Sequence, residues 1–241
     1  MKNIIRAISL SVLVAGLLSF ASCKENVVHG KGNITSQQRQ TAVFDKIVID
    51  MAVDATIIVG GAHTVQVKAH DNLQEHIKVD VTGNTLRIHK SGIMFSHDDI
   101  HVTIHLPVFA KLEINGAADA DIQGDVKGES FELHVRGASD VDMQQVHVDR
   151  LNVKLSGASE LRIDSGVAAI ATYNVTGAGE IDASKLQTKK ATAKVSGAGE
   201  MSLNVTEKLD AKITGAGEID YTGHPQVSSK ITGAGVLNDR N

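Results

Sequence analysis

Val175-Thr176-Gly177-Ala178-Gly179-Glu180, Val195-Ser196-Gly197-Ala198-Gly199-Glu200 and Ile213-Thr214-Gly215-Ala216-Gly217-Glu218 are one six-residue pattern written three times. Moving outward, the same pattern is found at Ile114-Asn115-Gly116-Ala117, Val135-Arg136-Gly137-Ala138, Leu155-Ser156-Gly157-Ala158 and Ile231-Thr232-Gly233-Ala234, with glycine-to-glycine steps of 21, 20, 20, 20, 18 and 18. Self-similarity at such a period is the mark of a repeat architecture. Apolar residues alternate before each glycine, as in Leu151, Val153 and Leu155, and again after it, as in Met201 and Leu203. Period two predicts strands, and helical spacing is nowhere sustained. A unit of this length holds two or three short strands and cannot bury its apolar face alone, whereas stacked units can. With rungs about 4.8 Å apart, seven of them extend roughly 30 Å. The expected fold is all-β: a parallel β-helix, or solenoid, with rungs of about 18–21 residues centred on Gly-Ala. A left-handed hexapeptide helix fits the steps of 18 but not those of 20 and 21. Alanine after every repeat glycine suggests a buried corner with room for one methyl, and the glycine with the small residue beyond it (Ser139, Gly199) a tight bend.

Residues 41–110 also read as strands but lack the Gly-Ala unit. Phe44–Ile49, Thr56–Val59, Val65–Ala69, Thr85–His89 and Ile100–Leu106 alternate, punctuated by Gly60-Gly61 and Thr82-Gly83-Asn84. They predict irregular early rungs or an antiparallel cap over the solenoid's first open edge. With no linker between them, residues 41–110 and the regular repeats of 111–241 are expected to form one domain.

The composition narrows the function. Of 241 residues, one is cysteine and none is tryptophan, and aromatics make up 3%. These values exclude a disulfide framework and a Cys-rich zinc module, and argue against stacking platforms for single-stranded nucleic acid. A hydrophobic fraction of 42% excludes wholesale disorder, and the net negative charge argues against a phosphate-backbone binder, so no nucleic-acid partner is expected.

The N-terminus reads as a targeting segment. Lys2 and Arg6 precede an apolar run from Ile8 to Phe20, followed by Ala21-Ser22-Cys23. This resembles a bacterial lipoprotein signal, which implies cleavage after residue 22 and lipidation of Cys23 as a membrane anchor. Without Lys2 and Arg6 the 24 basic residues become 22 against 28 acidic ones, a formal charge of −6. Lys24-Glu25-Asn26 resembles the export signal of surface-displayed Bacteroidetes lipoproteins, which implies an outer-membrane lipoprotein at the cell surface rather than facing the periplasm. Residues 23–40 are expected to be a tether.

Leu112-Glu113-Ile114-Asn115-Gly116, the Gly-Ala-Gly units at 177–179, 197–199, 215–217 and 233–235, Phe44-Asp45-Lys46-Ile47 and Leu106-Pro107 carry a wider resemblance. The mature chain resembles the Bacteroidetes lipoproteins described as auto-transporter adhesin, head GIN domain. The resemblance implies a right-handed β-helix shaped like pectin-lyase folds, without catalytic residues, and an adhesin role.

Three constellations are candidates for chemistry. The first is a column three residues after each repeat glycine: Asp119, Asp140, Glu160, Glu180, Glu200 and Glu218, then Val236. In register, adjacent carboxylates about 4.8 Å apart repel by roughly 0.9 kcal/mol in water, so solvation, raised pKa values, interleaved Lys or cations must offset them. A solvated edge is the expectation, and Ca2+ is the cation such a ladder would take as a site for a cation or partner. A second acid recurs less regularly, at Asp121, Asp142, Asp182 and Asp220. The second constellation is Thr176, Ser196, Thr214 and Thr232, a hydroxyl ladder whose expected role is cross-rung hydrogen bonding that fixes register. The third is His97, Asp99, His101, Thr103 and His105 on one strand face; two or three imidazoles and a carboxylate suit zinc or copper, but a wet face opposite a core face is the expectation.

No phosphate loop, nucleophile elbow or metalloprotease helix is present. The chain therefore reads as a non-catalytic, lipid-anchored binding or adhesion protein with no cofactor, a glycan or protein ligand, and self-association through an open strand edge. A periplasm-facing structural or sensory partner-binder is the alternative, and a polysaccharide-active enzyme the third reading.

Overall fold

The computed structural model describes residues 28–92 and 100–241; Cys23, the signal segment, His97 and Asp99 lie outside the described residues. The first strands are β1 (Ile34–Arg39), β2 (Lys46–Asp50), β3 (Asp54–Val59), β4 (Thr64–His70), β5 (Ile77–Thr82), β6 (Thr85–Lys90), β7 (His101–Leu106) and β8 (Lys111–Gly116). The long, cornered strands β9 (Asp119–Gly137) and β10 (Asp140–Gly157), the short β11 (Glu160–Ile163) and β12 (Gly166–Gly177) follow. The last are β13 (Glu180–Gly197), β14 (Glu200–Gly215), β15 (Glu218–Thr222), β16 (Gln226–Gly233) and β17 (Val236–Asp239). The only helical turn among the described residues is a 3-10 turn at Asp71–Leu73.

From β8 onward every pairing is parallel, and repeat glycine meets repeat glycine: Gly116 opposite Gly137, Gly137 opposite Gly157, and so on to Gly233. The result is the stacked β-solenoid that the repeat period predicts. Alternation turns one residue of every pair inward. Leu112, Leu133, Val153 and Tyr173 stack in one buried column, and Ile114, Val135, Leu155, Val175, Val195 and Ile213 in the next. Where Tyr173 fills the interior, the following rungs carry the small Ala193 and Ala211, the exchange of large for small that close packing requires. Phe109 and Phe131 close the coil's interior edge to face, with ring centroids 5.0 Å apart.

The alanine after the repeat glycine is not the buried corner residue. Ala138, Ala158, Ala178 and Ala198 face solvent, and the next residue (Ser139, Ser159, Gly179, Gly199) turns inward. The corner is convex, so three successive residues, as in Thr176-Gly177-Ala178, look outward before alternation resumes in phase. Where that inward residue is serine, its hydroxyl works for the backbone: Ser139 Oγ accepts from Ala118 N at 3.0 Å, and Ser159 Oγ donates to Gly137 O at 3.2 Å.

The early strands combine both expected arrangements. β2 lies parallel between β6 and β8, and β3 parallel between β7 and β9. β5 runs antiparallel to β6, and β4 antiparallel to β7. Part of the expected tether is also fold. Ile34–Arg39 forms β1, antiparallel to β4, with Ile34 opposite His70 and Arg39 opposite Val65. Its alternation is faint because an outermost strand has no face to bury: it is exposed along most of its length and held by polar contacts, Arg39 Nη2 to Gln74 O at 2.9 Å and Thr35 Oγ1 to Asp71 Oδ1 at 2.7 Å. Such a polar edge discourages further strand pairing.

Candidate functional site

Each corner delivers the third residue after its glycine to the outer surface at the start of the next strand. Asp140 pairs with Glu160, Glu160 with Glu180, Glu180 with Glu200 and Glu200 with Glu218. Asp119 joins below, where its carboxylate accepts from Asp140 N at 3.3 Å. The six acids thus form one column, and the structure lengthens it: Asp54 on β3 pairs with Asp119, and His101 on β7 with Asp54. The signal for Asp54 lies in Ala52-Val53-Asp54-Ala55, which repeats the spacing of Ala117-Ala118-Asp119-Ala120 without the glycine.

The second acids form a parallel column two residues on, Asp121, Asp142, Arg162, Asp182, Ser202, Asp220 and Asn238. Arg162 interrupts it and bonds Glu160 at 3.0 Å. At the far end Asn238 donates to Glu218 at 2.6 Å and to Asp220 at 2.8 Å, while Arg240 Nε bonds Asp220 at 2.9 Å. Both ends of the acidic face therefore differ from its middle. Burial would raise the Asp220 carboxyl, but its hydrogen bonds from Asn238 and Arg240 outweigh that and hold it below the usual range. Glu180, in mid-ladder, is pushed up by burial and by the charges of Glu160, Glu200 and Asp182.

Asp54, Asp119, Asp121, Asp140, Asp142, His101 and Thr56 line an open groove of about 300 Å3. His101 Nε2 lies 3.2 Å from Thr56 Oγ1. His105 is four residues along the same extended strand, about 13 Å away, too far to share one ion. Among the described residues no group of three or more His, Cys, Asp or Glu side chains converges as a metal centre.

The strand that leads into each corner carries a different outward pattern. Ser156, Thr176, Ser196, Thr214 and Thr232 stack in register and face solvent. Among the described residues no side-chain hydrogen bond joins them; register is held instead by backbone, as in Ala178 N to Gly157 O and Ala198 N to Gly177 O, both 2.9 Å. Two residues before them runs Lys154, Asn174, Lys194, Lys212 and Lys230. Toward the N-terminal coils this column turns to His134 and Glu113. Burial and the neighbouring Lys154 and Lys111 hold His134 below the usual imidazole range. Burial would raise Glu113, but hydrogen bonds from Lys111 and Arg136 bring it down to about 2. Period two marks all of these positions as outward; nothing in one repeat tells that their charges add up across repeats.

A coil of parallel strands whose outer faces are continuous, register-locked columns of polar side chains defines a β-solenoid protein. The chain belongs to the family described as "putative auto-transporter adhesin, head GIN domain", which matches residues 43–225. Among solved structures it is similar to an adhesin of Bacteroides fragilis NCTC 9343, described as putative, with 25% identity, a TM-score of 0.83 and coverage of 88% of this chain and 99% of that one. A protein of Parabacteroides merdae ATCC 43184 with the same description shares the fold at 20% identity and a TM-score of 0.73, covering 89% of this chain and 99% of that one. A Parabacteroides distasonis ATCC 8503 protein titled a putative lipid binding protein does so at 23% identity and a TM-score of 0.71, again covering 89% and 99%. No curated protein matches the chain.

Proposed function

We propose that this chain is a cell-envelope lipoprotein, anchored through Cys23 and displayed at the surface of the outer membrane, whose solenoid binds a glycan or protein ligand and performs no catalysis. The observation that carries the reading is the form of the outer faces: side chains on successive coils are held at one spacing by backbone pairing, a rigid surface that needs little ordering on binding. The adhesin family supports it. The anchor rests on the Lys2-to-Cys23 pattern in the sequence, and no cofactor enters the reading.

The test is proteinase accessibility on intact cells of the native host, comparing wild type with Cys23→Ala, joined to adhesion of those cells to glycan- and matrix-coated surfaces. Cleavage of the wild-type domain on whole cells, with adhesion lost on deletion of the protein, is the expected result. Protection until the outer membrane is permeabilised would overturn surface adhesion and favour a periplasmic partner-binder.

A further inference from the structure

We infer that the face carrying Lys194, Lys212 and Lys230 is a docking track for a linear anionic polysaccharide, one bearing sulfate or uronate groups. This deepens the adhesin reading and rests on it. Lys194 lies beside Lys212 and Lys212 beside Lys230 in consecutive coils, while Lys190 and Lys208 form a second pair four residues upstream. Rung spacing puts the lysines of one column about 4.8 Å apart, and the two columns run about 13 Å from one another along the strands. Among the described residues Lys154, Lys190, Lys194, Lys212 and Lys230 have no carboxylate partner; of the two acids on this stretch of β14, Asp210 is held by Lys208 at 2.9 Å and Glu207 is exposed one residue before Lys208.

This face is not a by-product of composition, because the chain as a whole has more acidic than basic residues. A column of acids runs beyond the Gly-Ala corner, from Asp54 to Glu218. Like-charged ammonium groups on neighbouring rungs repel, and an anionic chain lying along the solenoid axis relieves the whole column at once while releasing its own counterions. The exposed hydroxyls of Ser196, Thr214 and Thr232 border the lysines on one side and Thr192 and Ser228 lie between the columns, donors and acceptors suited to sugar hydroxyls. Among the described residues this face carries no exposed aromatic ring of the kind that would stack nucleic-acid bases. A glycan from a host matrix and one from a bacterial capsule present the same chemistry to it.

The test measures binding of dextran sulfate and polygalacturonate to the full chain in detergent at several NaCl concentrations, with neutral dextran and duplex DNA as comparators. The acidic polysaccharides are expected to bind, neutral dextran not, and affinity to fall as salt rises. Lys194→Gln/Lys212→Gln/Lys230→Gln is expected to weaken binding at least about tenfold and flatten the salt dependence. The matching triple Arg variant is expected to retain binding, and Lys68→Gln/Lys78→Gln/Lys90→Gln to leave it unchanged. Equal losses in both Gln triples, no loss in either, or DNA binding as tight as dextran sulfate would each overturn the inference. So would self-association without glycan that the first triple abolishes, since the occupant would then be the acidic face of a second copy. Cells that still adhere fully with the first triple would overturn this inference alone; cells whose wild-type adhesion never depended on the protein would overturn the adhesin reading beneath it.

Discussion

A methyl group built on Gly197 would lie 2.3 Å from the carbonyl oxygen of Gly177, one coil below. Gly197 also has φ of +124°, in the region that favours glycine. The two constraints have one origin: Ala198 N donates to Gly177 O at 2.9 Å, so the corners must approach to hydrogen-bonding distance. Gly197→Ala is expected to cost about 3 kcal/mol or more and to lower Tm by about 10 °C. Ala198→Ser, one residue on and facing solvent, is expected to leave Tm within about 2 °C. Thermal unfolding of the pair distinguishes a stacking corner from a merely flexible one; equal effects would refute the assignment.

Glu180 sits in mid-ladder, paired with Glu160 on one side and Glu200 on the other. Its pKa is raised by burial and then by Glu160 and Glu200, so the stabilising form is the protonated one. That contribution is fully present below the ordinary carboxylate range and is lost as pH rises through the elevated folded value. Glu180→Gln should therefore melt about 1–2 °C above wild type at neutral pH. The two should converge in acid, and a gap that widens on acidification would contradict this.

Glu113 behaves in the opposite sense. Although burial opposes it, hydrogen bonds from Lys111 and Arg136 lower its pKa from 4.5 to about 2. Its contribution is present above pH 4.5 and disappears as pH falls toward 2. Urea titrations should show Glu113→Gln less stable by about 1 kcal/mol at pH 7, with little difference near the lower limit.

Millimolar calcium is expected to leave Tm unchanged. Ca2+ wants six to eight oxygens converging from several directions, whereas the ladder offers carboxylates in single file and Arg162, Asn238 and Arg240 already occupy part of it. A rise of several degrees on calcium addition, lost in Asp119→Asn/Asp140→Asn, would show that the acidic groove binds the ion after all.

The regular coils were legible because a glycine that no other residue can replace recurs at a fixed step, and period two on either side assigns every inward residue. Residues 34–39 were not, since an outermost strand has no buried face to write into the sequence. Asp54 was missed because β3 enters its coil from Met51-Ala52-Val53 without the glycine signature. The corner alanines were misplaced because their invariance was taken for burial; alternation counted through the glycine from Val175 places Ala178 outward and Gly179 inward, as the structure has them. The acidic column could be read from one register, but the basic one emerges only when Lys194, Lys212 and Lys230 are stacked.

The threading of the first coils has a consequence for how the protein is made. β2 and β3 precede β6 and β7 in the chain yet lie between them and β8–β9 in space. A chain that emerges N-terminus first cannot complete that coil until residues 85–123 have followed it, so the start of the protein is built out of order. Every later coil settles directly on the one just finished, with only local closure to achieve. The molecule is thus locked at its beginning and extensible at its end: the number of Gly-Ala coils, and with it the length of the surface on offer, can change by whole units without disturbing the part that had to be tied first.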